Sequence, residues 1–152
     1  MMFSNINYTL IAMFIESFIL QYFIMSYIMI DKIKHIKNST GKIYISLIMS
    51  ILMCIVELIM YDVHNMIFSK YYYVFFVSFL IIIYLLYRFQ FGVNDKNYVK
   101  EMIEHHAMAI LTSGEILKKT KDPKIKSVAE NIIISQNKEI EDMEQLLKNM
   151  KK

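Results

Sequence analysis

The sequence predicts an all-α membrane protein: three transmembrane helices followed by an antiparallel two-helix hairpin. Three observations predict it. Hydrophobic residues make up 56% of the 152 positions and mean hydropathy is +0.37, more apolar than a soluble domain of this size requires. Only 3 Gly and 1 Pro interrupt the chain, which favours long helices with few turns. The composition also changes near residue 92, after which polar and apolar residues recur at helical spacing. The chain therefore divides into a transmembrane region over 1–91 and a helical-hairpin domain over 92–152.

The first span runs over about 8–30 (YTLIAMFIESFILQYFIMSYIMI) and holds Glu16 and Gln21. The second, over 43–61 (IYISLIMSILMCIVELIMY), holds Glu57. The third, over 71–89, opens with YYYVFFVSFLIIIYLLY and carries no charge through Tyr87. About 20 helical residues cross the ~30 Å hydrocarbon core, so each run is long enough. Tyr71, Tyr72 and Tyr73 suit the membrane–water interface. The first run lacks a basic leading segment and a small-residue cleavage site, so it reads as a span and not as a signal peptide. A multi-pass integral protein with the lipid bilayer as partner follows. The formal charge of +3 is too small to suggest a nucleic-acid partner, and a single Cys excludes an intramolecular disulfide.

The hairpin is read from its caps and stripes. Asn94 or Asp95 caps a helix running to about Lys119, with an apolar stripe of Val99, Met102, Ile103, His106, Ile110 and Leu117. Asp122 and Pro123 suit the N-cap and first turn of a second helix that ends near Met150. Its stripe includes Ile125, Val128, Ala129, Ile132, Ile133, Gln136, Ile140, Met143 and Leu147. With the turn near Lys121, His106 lies fifteen residues before it and Gln136 fifteen after, so the two are expected to face each other. Met102 then lies near Glu139 and Ile140, with Met143 one turn on, and His105 sits ~100° round from His106. Two imidazoles, thioethers, a carboxylate and an amide thus converge. Imidazole suits Cu, Zn, Fe and Ni, and thioether selects Cu(I).

The stretch M-I-x-H-H-x-x-A-I, here Met102 to Ile110, is followed by D-P at Asp122 and Pro123. Then comes A-x-x-I-I-x-x-Q-x-x-E-I-x-x-M, here Ala129 to Met143. Over the last third of the chain this pattern resembles the family called domain of unknown function 305 (DUF305), which includes CopM-like copper-binding proteins. The resemblance implies a ferritin-like helical bundle; because a two-helix hairpin cannot bury both its stripes alone, it is expected to be half of a four-helix bundle, completed by a homo-dimer or higher homo-oligomer. It implies copper, Cu(I) or Cu(II), held by His and Met, with zinc the second choice. Carried over by position, the metal set is Met102, His105, His106, Gln136, Glu139 and Met143. Glu104 stands where the family commonly has Pro; it makes this helix more regular and shifts the angle of His105.

A second set lies in the second span. Met49, Met53, Glu57, Met60 and His64 fall at steps of four, four, three and four, with Cys54 beside them. An ionisable residue inside a bilayer is a functional candidate by default, although a Met stripe is also ordinary packing. The function expected is a membrane-anchored protein that sequesters or hands on copper, with no turnover. A metal-free membrane protein that self-associates through its hairpin is the alternative. A di-metal carboxylate enzyme is set further back, because its Glu-x-x-His motif is missing: Met102 precedes His105 by three and Ile103 precedes His106 by three. Topology receives two opposed arguments. Lys32, Lys34, Lys37 and Lys42 in the first link place that link, and with three spans the hairpin, in the cytoplasm. The resemblance places the hairpin outside, where copper arrives, and the extracytoplasmic side is taken here.

Overall fold

The computed structural model describes residues 6–150. It is all-helical, with no strand among the described residues. Helix α1 (Ile6–Ile19) continues through a π-helical stretch, Leu20–Met25, into the short α2 (Ser26–Met29). A 3₁₀ turn over Ile33–His35 leads to α3 (Thr40–Asn65), followed by α4 (Lys70–Arg88), α5 (Asp95–Leu117) and α6 (Pro123–Asn149). Three segments are long and apolar enough to cross a membrane: Ile6–Met29, Thr40–Asn65 and Lys70–Arg88. The second is longer at both ends than the apolar run read from the sequence, because a helix continues past the point where its side chains turn polar.

The chain forms two compact units. The first takes residues 1–24 and 41–92, the second residues 25–40 and 93–152. The first unit has a core of Leu10, Ile51, Cys54, Leu58, Phe76 and Ile83, drawn from α1, α3 and α4. The α3–α4 link is held by Asp62, whose carboxylate accepts from the Ser69 backbone N–H at 2.8 Å and from its hydroxyl at 2.7 Å. Beyond α4 the chain turns through left-handed conformations at Gln90 (φ 53°) and Gly92 (φ 68°), a region glycine enters without strain. The Tyr44 hydroxyl donates to the Phe91 carbonyl at 2.8 Å and fixes this exit.

The second unit is the hairpin with a strap laid on it. Asn94 caps α5 by accepting from the Asn97 N–H at 2.9 Å. Asp122 caps α6 by accepting from the Lys124 N–H at 2.7 Å, and Pro123 opens the helix at a position that needs no donor. Val99, Ile103, Ala107 and Ile110 of α5 meet Ile140 of α6, with Met143 and Leu147 against them. Ile30 and Ile36, from the link between the first two long apolar segments, close the same core. Three hydrogen bonds pin this strap along α5. Asn97 Nδ2 donates to Thr40 Oγ1 at 2.8 Å, Lys100 Nζ to the Asn38 carbonyl at 3.1 Å, and the Lys37 backbone N–H to Glu104 Oε1 at 2.6 Å. The broad stripe expected on α6 is only partly covered: Ala129 and Ile140 are buried, while Ile125 and Val128 remain exposed.

Ile103 is fully buried at the centre of this seam and Ile134 is 70% exposed on α6. Ile103→Ala is expected to destabilise the second unit by about 2–5 kcal/mol, through lost transfer energy and an unfilled cavity. Ile134→Ala should stay within about 0.5 kcal/mol of the native protein. Denaturant titration followed by hydrogen exchange in α5 and α6 measures both.

Candidate functional site

The residues expected to gather on the hairpin are distributed over two faces. His106 turns inward and is 18% exposed; its Nδ1 lies 3.1 Å from Glu139 Oε2, a carboxylate half in solvent at 50% exposure. That is an ion-pair distance, but the angle does not make it a directed hydrogen bond, and the buried Nδ1 has no other hydrogen-bond partner. The side chain found against His106 is therefore Glu139, one turn beyond Gln136. Met143, a further turn along α6, packs on the hairpin core. Met102 and Gln136 are half-buried, and His105 is exposed. Among the described residues, no three or more His, Cys, Asp or Glu side chains group closely enough to hold a metal ion. The structure thus brings His106 and Glu139 together, with Met143 on the adjoining core, and leaves His105 on the surface.

Beside His105, one turn back on α5, stands Glu101. Its Oε2 is buried without a hydrogen-bond partner. Burial pushes its carboxyl above the ordinary carboxylate range; the charge of His105 opposes this and that of Glu104 adds to it. Glu104, the departure from the family pattern, accepts the strap's Lys37 N–H. It therefore has a structural task that a proline at this position would not perform.

The strap carries the feature that sequence reading missed. His35 is buried to 2% exposure, and its Nδ1 lies 2.5 Å from Asp31 Oδ1. Lys34 and Lys37 reach Glu144 of α6 at 3.8 and 4.0 Å. The signals were present as the one-turn spacing of Asp31 and His35 and as lysines matched in number to the acidic stretch Glu139–Glu144. Nothing in a linear reading says that the first link folds onto a helix some sixty residues later.

The second set, on α3, is divided by the helix. Met49, Met53, Met60 and His64 are exposed. Cys54 lies on the buried face with Ser50, Ile51 and Leu58, and its Sγ donates to the Leu10 carbonyl at 3.5 Å. Glu57 is half-buried between the two. The thiol and the thioethers thus face different surroundings, because neighbouring positions on a helix are ~100° apart.

Residues 93–152 match the family model described as Domain of unknown function (DUF305). Over 145 residues, which is 95% of this chain and 95% of the relative, the sequence is 34% identical to "Uncharacterized protein L153" of Acanthamoeba polyphaga mimivirus. The chain belongs to the DUF305 family. The DUF305 match starts next to Gly92, where the chain enters the second unit, and does not include the strap over 25–40 that shares its core. No solved structure matches the chain.

Glu101 gives this unit a defined pH response. Its folded carboxyl binds a proton more tightly than the unfolded one, so its contribution is greatest below the ordinary carboxylate range and is lost as pH rises through the raised folded value. Glu101→Gln is expected to raise the melting temperature at pH 7 and to leave it nearly unchanged at pH 4. Thermal melts of both proteins between pH 4 and 7 test this; equal shifts at both ends would refute it.

Proposed function

We propose that this DUF305 protein is a membrane-anchored copper-binding protein that sequesters or hands on copper at the His/Met face of its hairpin. The observation that carries this reading is the pairing of His106 with Glu139 across the two helices at 3.1 Å. A ligating histidine usually donates its other ring N–H to a carboxylate, and at 3.1 Å the half-exposed Glu139 carboxylate needs only a small rotation to accept it from Nδ1. Glu139 stands at Nδ1, so Nε2 is the nitrogen His106 offers to a metal. Met102 lies one turn before His106 and Met143 one turn after Glu139, so on the antiparallel helices both thioether positions lie to one side of the pair, away from the α5–α6 link. His105 brings a second imidazole by a change of rotamer, since it is free at the surface. In this reading the thioethers of Met102 and Met143 complete the donor set. A mixed imidazole and thioether set favours copper over zinc. The three long apolar segments supply the anchor.

The test is to purify the full chain in detergent, load it with Cu(I) under reducing conditions or with Cu(II), and measure bound metal. The native protein is expected to retain copper, and the His105→Leu/His106→Leu double variant to lose it. Glu139→Gln should weaken binding by about 10–100-fold while leaving the ligands in place. Absence of copper from the native protein, or equal copper in the double variant, refutes the reading.

A further inference from the structure

Glu16 sits near the middle of the Ile6–Met29 segment, the depth at which a spanning helix meets the centre of the hydrocarbon. An ionisable side chain there is costly unless it faces a polar partner. Glu16 does not turn towards its own unit. The buried residues of α1 are Leu10 and Ser17, on the other side of the helix, and Glu16 is exposed together with Ala12, Leu20 and Phe23. Among the described residues no side chain or backbone group takes its carboxylate by hydrogen bond or ion pair. Around Glu16 this face is apolar, with Ile15, Ile19 and Leu20 all about half exposed; its polar side chains, Tyr8 and Thr9, stand about two turns away near the end of the segment.

We propose that a second copy of this chain covers this face of α1 and that the two Glu16 carboxyls meet across the interface. A face whose middle is apolar except for one central carboxyl calls for an occupant with a polar group at that depth. A second copy inserted in the same orientation satisfies this automatically, because its own Glu16 lies at the same level. The two carboxyls then share a hydrogen bond, one donating its O–H and the other accepting. Ala12, one turn before Glu16, is small enough for the two helix backbones to approach closely, and polar side chains of this kind link helices within bilayers. The pairing requires α1 to span the membrane and is independent of copper. It is separate from the self-association through the hairpin that the sequence suggested.

The experiment uses the full chain. Extraction at alkaline pH first establishes that it is integral to the membrane, and mass measurement in detergent micelles and in lipid nanodiscs then gives the oligomeric state. The native protein is expected to be dimeric. Glu16→Gln, which keeps a donor and an acceptor at the same depth, should remain dimeric, and Glu16→Leu should be monomeric with unchanged helical circular dichroism. A Cys introduced by Ala12→Cys should cross-link two native-sequence spans in bilayers, which tests the contact without removing Glu16. An integral but monomeric native protein, a Glu16→Leu variant as dimeric as the native one, or no cross-link through position 12 would each overturn the proposal.

Discussion

The seam in which Ile30, Val99, Ile103, Ala107, Ile110 and Ile140 pack together is the constraint on which the second unit depends. Two helices alone present two half-covered stripes; here the link between the first two long apolar segments lies along α5 and closes one flank. That closure fixes the register of α5 against α6, and the register sets which acidic residue His106 meets. A shift of one turn would bring a different α6 side chain to the imidazole. The polar contacts of the strap follow from the same packing. Surface ion pairs such as those of Lys34 and Lys37 with Glu144 contribute little by themselves. The apolar contacts of Ile30 and Ile36 bring them within reach.

Much of the helical content was legible because caps and spans are local. Asn94, Asp122 and Pro123 start their helices where their chemistry requires, and the apolar runs are long enough to leave no alternative to spanning-length helices. The pairing of α5 with α6 was legible in outline for the same reason, since a short link forces neighbours to be antiparallel. Which α6 side chain stands at the His106 Nδ1, found to be Glu139, was not. Counting residues from an assumed turn residue fixes height only to within about a turn, and side chains lean along the helix towards their own N-termini. The Met stripe of α3 shows another limit of a linear reading. Helical spacing reports which residues share a face, but not whether that face is turned inward, and the buried face of α3 is the one bearing Ser46, Ser50 and Cys54.

The strap was illegible because its contacts are long-range. A lysine-rich link after a membrane span is ordinarily read as a topological signal. In this fold Lys34 and Lys37 also pair with Glu144, and the backbone of Lys37 binds Glu104. Their presence therefore has a reason besides the side of the membrane they occupy, and the lysine count weighs less as evidence for a cytoplasmic hairpin.

Because the DUF305 match and the folded unit have different limits, the family's boundary is not a boundary of stability. A peptide cut to the matched segment would leave the flank of α5 at Val99, Ile103 and Ala107 bare where Ile30 and Ile36 sit, and would free Glu104 of its backbone partner. Such an excised hairpin would tend to stick to itself through that flank. Fusing the strap back by a short tether, as in a rearranged chain order, would restore Ile30 and Ile36 to that flank.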